Sequence, residues 1–382
     1  MKSASRFTGL IMVLAPREKA SEALAGTIST LGEFQLTIIS SDSIEVRDRF
    51  IATILVELHP DHTEALESDL NATAAKLGID IATEFVAYTS ESTEGSRENV
   101  VIASSGLKSS HLSGLLSAIT DSGLTPISLR SSEGVSLEVT TRGDAENHVA
   151  LREAVKAFSA STGIAAGVVR RSAERKLIVL DMDSTIINEE VIDQLATKAG
   201  TGEKVSKITE SAMRGEIDFA QSLNERVATL AGLSNSALDE VRLSLTLTEG
   251  VEDFVKSTHE AGHLVAVVSG GFHNVIDPLL KDLGVDYILA NTLETTPDGL
   301  TGRVVGPIVD AKRKAEFLAE IAAKREISIE NTVAIGDGAN DREMLALAGI
   351  GIAFCAKPAL KEVADIVLDE RNLALVLPLL GL

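Results

Sequence analysis

Two short acidic clusters hold the residues best suited to chemistry: Asp181-Met182-Asp183-Ser184-Thr185 and Gly336-Asp337-Gly338-Ala339-Asn340-Asp341. Carboxylates brought together repel one another unless a cation joins them, so the pair predicts a hard, oxygen-seeking metal, most simply Mg²⁺ held by carboxylates and phosphate. Asp181 could attack as a nucleophile, as carboxylates do in aspartyl-phosphate enzymes. Asp183 points to the same side if the chain stays extended, where it could handle protons. In Ser269-Gly270-Gly271 a hydroxyl and unhindered backbone N–H groups could hold phosphate oxygens. Lys312, in Asp310-Ala311-Lys312, could supply the positive charge that phosphoryl transfer requires. Taken singly, each feature has a plainer reading: strand-end acids cap helices, Gly-Gly makes turns, and most lysines are solvated.

These residues need a frame. Each acidic cluster follows an apolar run, 176–180 and 332–335, of the kind expected for strands buried in a parallel sheet. Side chains released at the ends of such strands enter the crevice where open α/β sheets bind ligands. Val191, Ile192, Leu195, Ala196 and Ala199 fall at helical spacing and stop at Gly200, so the first acidic strand feeds a helix. Residues 204–244 are helical in pattern, broken at Gly215 and Gly232, and read as a cap over the sheet edge, about 188–248. Further strands are expected at 264–269, 287–290, 332–335, 350–354 and 366–368, with a hairpin around Pro297-Asp298-Gly299.

The first 170 residues show a βαββαβ order twice. Strands at 9–14, 35–40, 50–57 and 79–88 alternate with helices at 18–31 and 63–76; strands at 99–103, 126–129, 136–140 and 164–169 alternate with helices at 111–121 and 146–159. The polar stretch 89–98 is expected to be a linker, and the basic run 170–176 a solvated junction. The expected divisions are 1–90, 98–170 and 176–382.

Asp181-x-Asp183-x-Thr185, Ser269, Lys312 and Gly336-Asp337-Gly338-x-Asn340-Asp341 are similar, in order, to the motifs of the haloacid dehalogenase superfamily of phosphotransferases. Within it, Asp-Met-Asp-Ser-Thr-Ile-Ile-Asn-Glu-Glu, Val-Ser-Gly-Gly-Phe, Ile-Gly-Asp-Gly-Ala-Asn-Asp and Ala-Phe-Cys-Ala-Lys-Pro resemble the phosphoserine phosphatases over roughly residues 177–370. The resemblance implies a Rossmann-like α/β sheet with a helical cap and hydrolysis of phosphoserine through a phosphoaspartate, the step that releases L-serine. It implies Asp181 as nucleophile and Asp183 as general acid and base. Mg²⁺ would be held by the Asp181 carboxylate, the backbone oxygen of Asp183 and Asp337. Ser269, Gly270 and Lys312 would bind the phosphoryl group, Asn340 would line the site, and Asp341 would orient Lys312 or the metal shell. Glu190 would meet the substrate ammonium and Arg226 its carboxylate, a fork that lysine cannot imitate. Met213 and Phe219 match apolar cap positions that close over the ligand, though packing inside the cap accounts for their spacing equally well. The N-terminal modules resemble paired ACT domains, which implies a serine or other amino-acid ligand and a homodimer. Two ferredoxin-like modules serving only dimerisation have the same element order.

The remaining features narrow the field. A net charge of −21 over 382 residues disfavours nucleic acid and anionic membranes as partners. The single Cys355 excludes a disulfide framework and reads as a small core residue rather than a nucleophile. The start carries no convincing secretory leader, no apolar run is long enough to span a bilayer, and a cytoplasmic enzyme is expected. His259-Glu260-Ala261-Gly262-His263 spells a zinc-protease motif, but Gly262 should stop the helix and send His263 into a strand. Two other functions fit the chain: action on another small phosphate ester such as phosphohomoserine, or amino-acid sensing by a protein whose phosphatase body is inert.

Overall fold

The computed structural model describes residues 6–88, 96–132, 135–169 and 174–382. Its contacts divide the chain into two compact units, 1–94 and 95–382.

The first unit holds β1 (Arg6–Pro16), β2 (Thr37–Val46), β3 (Arg49–Glu57) and β4 (Asp80–Tyr88) in one sheet of order β2-β3-β1-β4, with helices Ala20–Glu33 and Thr63–Leu77. Strand β3 alternates buried Phe50, Ala52, Ile54 and Val56 with more exposed neighbours, as a strand with one covered face must. Its core also takes Ile11, Val13, Leu66 and Leu70.

The second unit opens with the same topology: β5 (Ser96–Ala103), β6 (Thr125–Ser132), β7 (Ser136–Gly143) and β8 (Ala165–Val169) form a sheet of order β6-β7-β5-β8. The expected linker is shorter than the polar composition suggested. Residues 89–95 lie outside the described residues, but Ser96, Arg97 and Glu98 pair with Gly143, Arg142 and Thr141. Backbone ladders do not require apolar side chains, and Glu98 is buried there against His148, 3.0 Å away.

A seven-stranded sheet follows, built from β9 (Leu177–Leu180), β10 (Leu264–Phe272), β11 (Tyr287–Thr296), β12 (Gly299–Val305), β13 (Thr332–Gly336), β14 (Ile350–Phe354) and β15 (Ile366–Leu368) in the order β12-β11-β10-β9-β13-β14-β15. Only the β11–β12 hairpin is antiparallel, and β9 lies between β10 and β13. Every residue of β9 and β13 is buried, as expected where helices cover both faces of a parallel sheet. The order reverses beside β9, so the two acidic strand ends are neighbours at the switch point of the sheet.

Between β9 and β10 the chain leaves the sheet to form helices Val191–Lys198, Gly202–Met213, Phe219–Ala228 and Asn235–Ser244. It departs and returns through adjoining segments: Asn188 donates its N–H to Thr246 O (3.0 Å), and Thr248 donates to Ile186 O (2.9 Å).

The second module packs on the phosphatase-like body. Val101, Ala103, Ala165 and Val169 join the core that contains Ile366, Leu368 and Val376, and Gly167 approaches so closely that a Cβ would lie 2.6 Å from Ile366 Cδ1. The junction 170–176 is therefore not wholly a solvated tether. Residues 170–173 lie outside the described residues, but Lys176 is only 5 % exposed and its backbone N–H donates to His263 Nδ1 at 3.2 Å. His259 instead meets Asp286 Oδ2 at 3.0 Å, and Gly262 adopts φ +81° after the helix Val251–Glu260, so the two rings serve different partners.

Candidate active site

Asp181 follows directly on β9 and is held there by its own N–H, which donates to Ile335 O of β13 at 2.9 Å. Its Oδ1 accepts from Lys314 Nζ at 2.8 Å and from the N–H of Met182 at 2.7 Å, so Oδ1 is the oxygen the protein itself engages. Burial, then the charge of Asp341, pushes the Asp181 pKa well above the usual carboxylate range.

Asp183 sits across from the phosphate-loop candidates. A Cβ on Gly271 would lie 3.0 Å from Ser269 Oγ and 3.3 Å from Asp183 Oδ2, so that glycine keeps the two groups close. Ser269 Oγ accepts from the Gly271 N–H at 2.8 Å and keeps its own proton to donate. Burial in the cleft, then the neighbouring Glu190, raises the Asp183 pKa well above normal.

The second cluster emerges from β13. Asp337 is partly buried; burial first, then Asp341 and Glu190, push its pKa up to about 7. Carboxylate oxygens of Asp181, Asp337 and Asp341 lie within 4.8 Å of one another. The donors are all hard oxygens and their charges are under-compensated, so the set fits a hard divalent cation. Asp341 is the least available of the three, because its Oδ1 already accepts from Lys314 at 2.7 Å and its Oδ2 from the Gly338 N–H at 3.0 Å. Asn340 folds back over Gly338, where a Cβ would lie within contact of its Oδ1.

One sequence assignment fails. Lys312 is 76 % exposed and its Nζ lies 3.7 Å from Glu316, out of the cleft. The lysine that enters the site is Lys314, completely buried between Asp181 and Asp341. In the helix Ala311–Lys324 two residues turn the side chain by about 200°, so positions 312 and 314 point to nearly opposite faces. Lys314 shares its face with buried Phe317, Leu318 and Ile321, a spacing readable in the sequence. Burial alone would lower its pKa, but Asp181 and Asp341 outweigh that and raise it, so it stays charged.

Sequence reasoning also missed Asn291. It is 1 % exposed on β11, donates Nδ2 to Gly270 O at 2.8 Å, and accepts from the Val309 N–H at 2.9 Å. It thereby ties the phosphate-loop candidate to the segment that leads into the Lys314 helix. No local pattern marks such a residue.

The cap contributes three groups. Glu190, at the start of helix Val191–Lys198, accepts from Ser184 Oγ at 3.0 Å. Arg226 is partly buried; burial lowers its pKa, opposed by Asp193, Glu190 and Asp183, which marks it as a neighbour of those acids. Phe219 stands over the phosphate loop, 3.3 Å from where a Gly270 Cβ would lie. The side chain of Met213 lies outside the described residues. Cys355 is half-buried, burial raises its thiol pKa, and Sγ donates to Asp369 O at 3.5 Å. An inert thiol fits those surroundings.

A profile of the haloacid dehalogenase-like hydrolases matches residues 178–346, and one of the ACT domain matches 21–84. The phosphoserine phosphatase of Streptomyces coelicolor is 37 % identical over 370 residues, covering 94 % of this chain and 88 % of its own. That of Archaeoglobus fulgidus is 53 % identical over 200 residues, covering 52 % of this chain and 58 % of its own length. A solved phospho-aspartyl intermediate analogue of a phosphoserine phosphatase superposes with a TM-score of 0.52 and 45 % identity, over 54 % of this chain and 99 % of that one.

Proposed function

Because the chain belongs to the haloacid dehalogenase-like hydrolases, among the phosphoserine phosphatases, we propose that it hydrolyses O-phospho-L-serine to L-serine and phosphate through a phosphoaspartate on Asp181. The observation that carries this reading is Asp181 itself: a buried carboxylate with one oxygen fixed by Lys314 and the Met182 N–H, and with carboxylate oxygens of Asp337 and Asp341 within 4.8 Å.

Asp181 Oδ2 attacks phosphorus and the bond from phosphorus to the serine oxygen breaks. Asp183 donates a proton to the departing oxygen. Asp183 then takes a proton from a water whose oxygen attacks the acyl phosphate, releasing phosphate and restoring the Asp181 carboxylate. One hard hydrolysis becomes two easier displacements. Mg²⁺ would be held by Asp181, Asp337 and the backbone oxygen of Asp183, and when bound it supplies positive charge against the phosphoryl oxygens. Ser269 Oγ and the Gly270 N–H bind those oxygens, Lys314 adds its charge, and Asn340 lines the edge. Steady-state rates on phosphoserine, phosphohomoserine and an aryl phosphate test the reading: phosphoserine should give the highest kcat/KM, and a chelator should abolish turnover until Mg²⁺ is restored. Equal kcat/KM for all three esters would defeat the substrate assignment.

Glu190 and Arg226 read the zwitterion, one for each charge. Arg226→Lys is expected to raise KM for phosphoserine roughly 10- to 100-fold, since a lysine loses the forked contact worth about 1.5–3 kcal/mol. The aryl phosphate, which has no carboxylate, should be hydrolysed as before.

The reading extends to a cytoplasmic homodimer with domains at 1–90, 96–170 and 176–382, the first two being ACT modules that take serine or another amino acid. The shared topology of the two small sheets supports the pair. Among the described residues no helix is long and apolar enough to cross a membrane. Serine at a hundred times its dissociation constant should stabilise the full-length chain by about 2.7 kcal/mol, read as a rise in Tm. An unchanged Tm at millimolar serine would count against direct sensing.

A further inference from the structure

The segment following β15 touches three parts of the second unit that the reaction must coordinate. Glu370 faces the second module, where its carboxylate accepts from Ser104 Oγ at 3.1 Å and from the Ser105 N–H at 3.1 and 3.2 Å. Arg371, the next residue, donates Nη1 to the carbonyl of Ser184 at 3.1 Å, and its guanidinium stands 5.9 Å from the ring centre of buried Phe354. Asn372 donates Nδ2 to Glu249 Oε1 at 3.0 Å, at the point where the chain returns from the cap.

Ser184 is the key contact. It adopts φ +57°, a backbone conformation unfavourable for an L side chain, within the loop that carries Asp181 and Asp183. Three bonds hold it there: its N–H donates to Glu189 O at 3.3 Å, its Oγ to Glu190 Oε1 at 3.0 Å, and its carbonyl accepts from Arg371. A conformation of this kind persists when its surroundings over-determine it. The bond from Ser184 Oγ in turn orients Glu190.

We propose that Glu370 and Arg371 form a strut through which the second module positions the Ser184–Glu190 turn, with Arg371 a positioning residue for Glu190. The consequence for substrate binding rests on the reading of Glu190 as the group that meets the phosphoserine ammonium. Arg371 touches neither substrate nor phosphate. Its removal should therefore weaken recognition of the amino-acid part of the substrate and spare phosphoryl transfer.

The test uses the full-length chain with phosphoserine and p-nitrophenyl phosphate, which lacks the ammonium. Arg371→Ala should raise KM for phosphoserine about 10-fold with kcat within about twofold, and leave both constants for the aryl ester within about twofold. Arg371→Lys, which can still donate one bond to the Ser184 carbonyl, should recover part of the loss. Glu370→Ala should raise KM for phosphoserine roughly threefold, and the double variant should be no worse than Arg371→Ala, because both act through one contact. Equal losses of kcat on both esters, or additive effects in the double variant, would overturn the proposal. Hydrogen exchange supplies a reading independent of substrate: the amides of residues 184–190 should exchange faster in both single variants while those of β9 do not. Unchanged protection of that loop sinks the strut whatever ester is hydrolysed. Faster exchange in an enzyme indifferent to phosphoserine would support the strut and reject the substrate assignment instead.

Discussion

Asp181→Asn is expected to lower kcat on phosphoserine on the order of 10⁴- to 10⁶-fold, the loss seen when a nucleophile is removed from a site whose other groups remain. Folding should not suffer with it. The asparagine amide fills the same space, its oxygen can still accept from Lys314, and the substitution removes a charge that burial disfavours. The variant should therefore melt at a temperature no lower than wild type while failing to form a base-labile, phosphate-labelled enzyme. An active Asp181→Asn variant would mean that phosphorus is attacked by some other group. A protein that binds an amino acid but whose wild-type form hydrolyses no ester would support the sensing role instead.

The second large effect separates two lysines that are two residues apart. Lys314→Met leaves Asp181 and Asp341 buried together without their shared cation, and breaking a buried pair from one side costs about 3–5 kcal/mol. Lys312→Ala removes an exposed charge 3.7 Å from Glu316 and should change stability by less than about 0.5 kcal/mol. Denaturant unfolding of the two variants measures the contrast, and steady-state assays should show turnover lost only in Lys314→Met. The sign with pH is fixed as well. The folded-state pKa of Asp181 is raised, so its ionisation costs stability as pH rises; without Lys314 that cost grows, and the deficit of the variant should widen from acid to neutral pH. Equal effects at 312 and 314 would reject the assignment of the site lysine.

Lys312 and Lys314 mark the boundary between what motif spacing encodes and what helix phase decides. Both acidic clusters were legible because each follows a wholly buried strand, and strands of that kind deliver their ends to one crevice. The motif lysine required the helix phase as well as its position, and Phe317, Leu318 and Ile321 supplied that phase. At Ser96–Glu98 polar side chains hide an extended backbone whose ladder partner lies more than forty residues ahead. Asn291 and Glu370 gave no local signal. Their partners are brought to them by the packing of distant segments, which neither periodicity nor motif spacing encodes.

The two ends of the cap insert meet beside β9, joined by the Asn188–Thr246 and Thr248–Ile186 backbone bonds and the Ile187–Leu247 bridge. A loop whose ends already touch adds closure entropy only with the logarithm of its length, so the sheet is nearly indifferent to what is spliced between them. A recognition element of different size could thus be spliced in beyond residue 191, provided the graft keeps Glu189, Glu190 and Val191, whose contacts hold Ser184 and the Asp183 carboxylate.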